Sequence, residues 1–264
     1  MRSLAVSLLL VASTAGAQLP RAYSYEFRLD PGSKKGNDVI HGTVRVSGGR
    51  ARIDTDERDK DRDYLLVGDG GRTVYVVHDD KRTYEEHDAD DFAHIVGTAM
   101  RAVGPVLKVS VSDARIDTAR LGSGGTVAGR QTQHMRLNQR WRTSMRVMGF
   151  VKEDLRGSAN GEYWADPSLV LMRNPLFDIV STSLFALAAS DEEFLAKSDA
   201  SRSRLFRGSP LKADITYSVA VPDGDDGDSH LRYEVTKFTP GAVDEHALDI
   251  PKGYRRTSEK TFKM

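Results

Sequence analysis

A regular alternation of apolar and polar residues constrains the fold of this chain more than any other feature. From Tyr23 to Asp30 every second residue is apolar and the residues between them are polar. This two-residue period is typical of a strand that buries one face. Similar short segments follow at 40–46, 50–54, 64–67 and 73–77, separated by turn residues. The sequence therefore predicts five strands before the first helix.

A first helical pattern begins near Asp90 and stops before Gly104 and Pro105. Acidic residues at its start suit the positive end of the helix dipole. Its apolar residues fall on one stripe: Phe92, Ile95, Val96, Ala99, Met100 and Val103. We expect an amphipathic helix that lies on the sheet.

The most apolar segment outside the N-terminus is 176–189, in which Asp178 is the only charge. Asn174 and Pro175 stand before it and favour a helix start, because proline at the first helical position loses no intrahelical hydrogen bond. A further helix is predicted to open at Ser190, since Glu193 follows at the spacing of a capping box.

Three long strands are predicted between the first and second helices, at 106–120, 126–137 and 141–152, with turns at 122–125 and 138–139. Two more strands, at 215–221 and 231–235, are joined by the acidic turn Asp223–Asp228. Because strands dominate on both sides of the helices, the pattern favours the α+β class. We expect one large antiparallel sheet with helices packed on one face.

The N-terminus has the pattern of a cleavable signal peptide. Arg2 provides the positive charge, residues 4–12 form a short apolar run, and the small residues 15–17 suit signal peptidase. This run is far shorter than the roughly 20 residues that span a bilayer, so no transmembrane anchor is expected. We predict cleavage between Ala17 and Gln18, which leaves 18–264 as one exported, periplasmic or secreted domain.

Cysteine content and charge exclude several classes of protein. The chain has no cysteine, so lipidation of a cysteine, disulfides and thiolate metal sites are not available to it. It has 38 basic and 38 acidic side chains, and they are interspersed. Nothing in this balance favours nucleic acid as a partner.

No catalytic constellation stands out. The chain lacks a G-x-S-x-G elbow, a Gly-Lys-Ser/Thr phosphate loop and an H-E-x-x-H pair. We therefore predict no catalytic residues and no cofactor. An enzyme remains a third hypothesis, which requires His87, His94 or His134 to converge with carboxylates in a cleft.

Two acidic clusters contain side chains of the kinds that bind metal ions. The turn Asp223–Asp228 lacks the glycine that an EF-hand needs at its sixth position, because Asp228 stands there, so a solvated turn is favoured over calcium binding. His87 and His94 lie near Asp88, Asp90 and Asp91, but seven residues apart they need not meet on one ion, and we predict no metal site. The strand residues His41, Asp54 and His134 remain open candidates for a meeting in space.

The segment 176–189 gives two readings of function. A helix that is apolar on nearly all sides belongs to the core, or it covers something apolar. In the second reading it lines a hydrophobic groove together with the helix that begins near Asp90. The candidate groove residues are Phe92, Val96, Met100, Leu176, Phe177, Val180, Leu184 and Phe185.

Five segments in order carry a family resemblance: Arg52–Asp54, Tyr64–Tyr84, Thr126–Thr132, Glu162–Pro167 and Ile250–Tyr254. In this order the chain resembles extracytoplasmic domains of the lipoprotein-carrier (LolA/LolB-like) fold, and most closely an uncharacterised bacterial family of that type. The resemblance implies a half-barrel sheet whose concave face is lidded by about three helices and receives lipid or acyl groups. It implies no catalytic site.

Together these patterns predict an exported binding protein of the bacterial envelope that holds a hydrophobic ligand or a lipidated partner. The alternative is a structural or interaction module with a filled core and no ligand. The identity of the ligand and the oligomeric state stay open.

If the N-terminus is a signal peptide, protein exported by a bacterial host will begin at Gln18. Intact-mass measurement of the periplasmic fraction checks this cleavage. An exported product that still carries residues 1–17 would contradict it.

Overall fold

A computed structural model describes residues 21–32, 39–56, 63–93, 107–147, 151–183, 188, 191–220 and 227–258. The predicted signal peptide, most of the acidic turn 223–228 and the first helix beyond Ala93 lie outside these residues, as do Leu184 and Phe185 of the second helix.

Twelve strands in the described part of the chain form one sheet. The strands are β1 (Ala22–Asp30), β2 (Ile40–Ser47), β3 (Arg50–Thr55), β4 (Asp63–Gly68), β5 (Thr73–His78), β6 (Thr83–Asp88), β7 (Leu107–Val127), β8 (Arg130–Val147), β9 (Val151–Ala165), β10 (Lys212–Ala220), β11 (Gly227–Pro240) and β12 (Arg255–Arg256).

The order across the sheet is β12-β6-β5-β4-β3-β2-β1-β11-β10-β9-β8-β7. Neighbours are antiparallel, except that β12 runs parallel to β6. The chain therefore builds one side of the sheet from β2 to β6 and the other from β7 to β11, and β1 joins the two. The predicted large antiparallel sheet of an α+β protein is confirmed.

The main hydrophobic core follows from the predicted alternation. Its most buried side chains are at most 1% exposed and belong to one contiguous cluster. They include Phe27 and Leu29 of β1, Ile53 of β3 and Tyr233 of β11. Intervening residues of β1, such as Glu26 and Arg28, are exposed. Burying this continuous apolar face is the main stabilising contribution that the sheet makes.

Three α-helices accompany the sheet in the described residues: α1 (Ala89–Ala93), α2 (Pro175–Ser183) and α3 (Glu192–Leu205). A 3-10 helix spans Glu245–Leu248. The predicted start of α2 is confirmed, because the Asn174 side-chain oxygen accepts a hydrogen bond from the Leu176 amide at 3.1 Å.

The start of α3 differs by one residue from the prediction. The N-cap is Asp191 rather than Ser190, and one carboxylate oxygen accepts from the Phe194 amide at 3.0 Å. The other oxygen accepts from the Val111 amide at 3.1 Å. A carboxylate has two acceptor oxygens, so Asp191 caps the helix and ties it to β7 at once.

Two predictions about strands were wrong. A sixth strand, β6, precedes the first helix, and its alternation is hidden because the buried residue is Glu85. The predicted turns at 122–125 and 138–139 lie inside β7 and β8. Glycines at 122 and 125 have positive φ and sit at bulges in β7, whereas the turn itself is at Ala128 and Gly129, both with positive φ.

Gly208 is required by both its backbone and its surroundings. Its φ is +69°, and a Cβ there would lie 1.8 Å from the Leu171 carbonyl oxygen. Gly129 also has a positive φ of +77°, but a Cβ there would meet open space. An alanine at Gly129 would therefore suffer backbone strain alone, whereas an alanine at Gly208 would suffer backbone strain and steric overlap.

We expect Gly129→Ala to lower the free energy of unfolding by about 1 kcal/mol, the cost of a left-handed residue with a Cβ. Gly208→Ala adds overlap with a backbone carbonyl and should cost roughly 3 kcal/mol or more. Urea unfolding of both variants measures the difference. Equal losses of unfolding free energy in the two variants would show that the backbone around Leu171 moves aside without an energetic cost.

Candidate functional site

The interior beneath α2 is lined by aromatic rings. Phe177 of α2 lies against Tyr233 of β11, with ring centroids 4.8 Å apart. Tyr233 contacts Phe27 of β1 at 5.9 Å, and Tyr25 follows Phe27 at 6.4 Å. All four side chains are at most 1% exposed. The row connects the helix to the two strands at the middle of the sheet.

Three polar atoms are buried in this apolar interior, and none of them makes a hydrogen bond of regular geometry among the described residues. They are the hydroxyls of Tyr25 and Tyr233 and the side-chain nitrogen of Asn174. The two hydroxyls and the Asn174 side chain interact with one another through irregular hydrogen bonds, which contribute to the pKa shifts of Tyr25 and Tyr233. A buried polar group that makes no hydrogen bond costs about 1–3 kcal/mol, and an irregular hydrogen bond offsets only part of this cost, so the three groups can still gain from a further partner. We call these three atoms the polar triplet.

Tyr23, two residues before Tyr25 on β1, shows how a buried tyrosine hydroxyl is usually satisfied. Its hydroxyl accepts a hydrogen bond from the Met172 amide at 2.9 Å. Burial raises the pKa of the Tyr23, Tyr25 and Tyr233 hydroxyls, so each remains a neutral group that can donate and accept. The polar triplet is therefore suited to a neutral or acceptor-bearing polar group.

The described members of the predicted groove come together. Phe92, Leu176 and Phe177 belong to the main hydrophobic cluster, and Val180 is partly buried against it. Helices α1 and α2, predicted to act as a pair, contact each other. Val96, Met100, Leu184 and Phe185 lie outside the described residues.

A buried ion cluster holds the three helices together. The Asp178 carboxylate of α2 accepts from Arg173 at 3.0 Å and from Arg202 of α3 at 2.8 Å. Arg173 also reaches Asp90 of α1 at 2.9 Å. The Asp178 side chain is only 7% exposed. A cleft of about 490 Å³ adjoins the cluster, lined by Asp90, Arg173, Asp199 and Arg202 among others.

One signal for this cluster is visible in the sequence, namely that Asp178 is the only charge in the apolar segment 176–189. A single buried charge requires a counter-charge. The distance in sequence between Asp178 and Arg202 concealed the partner, because it depends on how α2 and α3 pack.

Two of the histidines, His78 and His87, share the buried carboxylate of Glu85. His87 bonds one oxygen of Glu85 at 2.9 Å, and the other oxygen lies 3.3 Å from His78. The second ring nitrogen of His78 lies 2.9 Å from Asp63. Asp88 instead caps α1 by accepting from the Asp90 amide. The nearest carboxylate to His87 therefore comes from the buried face of β6, while His94 lies outside the described residues.

His41, Asp54 and His134 do not meet. The backbone amide of His41 donates to Asp56, while the Asp54 carboxylate binds Arg45 and Arg52. His134 bonds Glu162 at 3.0 Å and stacks on Trp164. Within the described residues, no group of three or more histidine or acidic side chains has the arrangement of a metal site.

No protein-family model matches this sequence, and no curated protein is significantly similar to it. Among the helices of the described residues, none has the length and apolar character needed to cross a membrane. The site must therefore be interpreted from its own geometry.

Asp178→Asn keeps the shape of the side chain but removes the shorter carboxylate contact of Arg202, which then keeps only Asp199 at 3.6 Å. We expect a loss of about 3 kcal/mol in the free energy of unfolding. The matched control is Asp90→Asn, which removes an exposed partner of Arg173 and should cost less than about 1 kcal/mol. Urea unfolding measures both, and similar small losses would show that solvent replaces the Asp178 carboxylate.

Proposed function

We propose that this protein is an exported binding protein of the bacterial cell envelope that holds a hydrophobic or lipid-like ligand, or the lipid of a lipidated partner. In this proposal the sheet curves as a half-barrel and the helices lie over its concave face. The observation that carries the proposal is the polar triplet in an otherwise apolar, aromatic interior. Export rests on the signal peptide predicted at residues 1–17.

The chemistry of the interior supports such a ligand. Ligand sites for hydrophobic molecules are mostly apolar and contain a few placed polar groups that orient the ligand. A carboxyl, ester or hydroxyl group of a lipid could accept from the two tyrosine hydroxyls and from the Asn174 amide. The same contacts would replace the irregular hydrogen bonds of the polar triplet by regular ones.

Access to this interior requires α2 to move. Phe177 and Leu176 lie on the first turn of α2 and are buried against the sheet. Asp178 on the same turn is fixed by Arg173 and Arg202. We propose that α2 forms a lid and that the ion pairs of Asp178 hold this lid closed. The stability of these ion pairs then determines how often the interior opens.

The alternative is a structural or interaction module with a filled core. The tight contact between Phe177 and Tyr233 favours it, because no space is needed between these rings in the closed state. The two candidates differ in what happens when a hydrophobic ligand is added.

Delipidated protein should gain thermal stability with a saturating fatty acid, since a ligand that binds only the folded state stabilises it by about 2.7 kcal/mol at 100 times its Kd. The double variant Tyr25→Phe/Tyr233→Phe should lose most of this shift. It should unfold at a urea concentration close to that of the parent, because the two hydroxyls that it removes from the core make only irregular hydrogen bonds. Differential scanning fluorimetry and urea unfolding provide the two readouts.

The matched control is Tyr23→Phe, which removes a hydroxyl that is already paired. We expect it to lower stability by about 1 kcal/mol and to leave the fatty-acid shift intact. Absence of any shift in the parent protein, together with no lipid in its native mass spectrum, would reject ligand binding and support the filled-core module.

A further inference from the structure

A shallow cleft of about 540 Å³ lies on the face of the sheet opposite to α3, across β7, β8, β9 and β10. Its floor is the row Trp141, Gly157 and Val219, which are register neighbours across β8, β9 and β10. Trp141 is buried and contacts Phe194 of α3, so its side chain projects away from the cleft.

The rows on either side of this floor project into the cleft, because alternate residues of a strand share a face. One row consists of Arg115, Arg140, Ser158 and Ser218, and the other contains Arg142 and Arg156. All four arginines are exposed. A bulge in β7 between Ser112 and Arg115 sets Arg115 opposite Arg140.

Like charges stand directly opposite each other twice in this cleft. Arg115 faces Arg140, and Arg142 faces Arg156. Such cross-strand pairs destabilise a sheet. The same situation occurs between Arg45 and Arg52, but there the Asp54 carboxylate bonds both guanidinium groups.

The arginines of the cleft have almost no such compensation. Arg142 lies 3.5 Å from Asp113, and that contact is highly exposed on both sides. Arg115, Arg140 and Arg156 have no acidic partner among the described residues. Asp113 is the one acid among the lining residues, so the cleft carries a net charge of +3 from four arginines and one aspartate.

The positive charge of the cleft contrasts with the composition of the chain as a whole. The whole chain has equal numbers of basic and acidic side chains, so this concentration is local and does not reflect a general excess. An unbalanced, open array of arginines is suited to several phosphate groups presented side by side.

We propose that this outer face docks on the phosphodiester headgroups of an anionic lipid surface. The guanidinium groups bind the phosphates, and the hydroxyls of Ser158 and Ser218 are placed to donate to the same oxygens. The site lies on the opposite face of the sheet from the polar triplet. The inference therefore stands or falls independently of ligand binding beneath α2.

The test is co-sedimentation of the exported protein with vesicles of phosphatidylcholine, alone or mixed with phosphatidylglycerol. We expect binding to the mixed vesicles only, and binding that weakens as salt is raised. Each arginine near an anionic surface contributes about a fivefold increase in affinity. The double variant Arg140→Gln/Arg156→Gln should therefore bind about 25-fold more weakly.

The matched control is Arg45→Gln/Arg136→Gln, which removes the same charge at positions outside the cleft where each arginine is paired with a carboxylate. We expect this control to bind within about twofold of the parent. Urea unfolding of both double variants confirms that they fold. An equal loss in the two variants would show attraction by net charge alone and would overturn the proposal.

Two further experiments distinguish a lipid surface from other sources of phosphate groups. Inorganic phosphate, at the same phosphate concentration as the vesicles, should compete poorly, because a single ion contacts only part of the array. Competition as strong as that of the vesicles would assign the cleft to free phosphate. Equally tight binding of a single-stranded oligonucleotide that is abolished by the same variant would assign it to nucleic acid, and either result would overturn the lipid surface.

Discussion

The pairing of β1 with β11 is the constraint on which the rest of the structure depends. Glu26 of β1 pairs with Lys237 of β11, so the contact joins residues near opposite ends of the described chain. On its other side β1 pairs with β2. Without this strand the sheet would divide into two halves, and the aromatic row under α2 would lose its middle. A pairing over such a sequence distance is entropically costly, so we expect it to form late in folding.

The period-two pattern predicted the sheet because burial in this protein follows residue type closely near the middle strands. From Tyr23 to Leu29 each apolar residue is buried, and the order of the strands on each side of β1 follows the order in sequence. The prediction of strands failed where a polar residue is buried. Glu85 is buried in β6 against His78 and His87, and a local hydrophobic pattern has no means of marking a buried acid as a strand residue.

The glycines of β7 show a second limit. Glycine marks turns because it adopts positive φ, but a bulge within a long strand requires the same conformation. At 122 and 125 the backbone bulges and the strand continues, and the turn falls at Ala128 and Gly129 instead. Only pairing with β8 distinguishes the two cases. Of the candidate site, the apolar part of α2 and its contact with α1 were accessible from sequence. The polar triplet, the Asp178 cluster and the arginine rows were not, because each depends on strand register or helix packing.

The long edge strand β7 has one further consequence. It pairs with β8 on one side, and across much of its length its residues are exposed. An unpaired strand edge is a template onto which another polypeptide can add, and a flat one promotes polymerisation. Here three bulges interrupt the regular spacing of donors and acceptors, and charged residues such as Arg115, Asp117 and Arg120 are placed along it. The irregularities that obscured β7 in the sequence therefore make this edge a poor template for the addition of further strands.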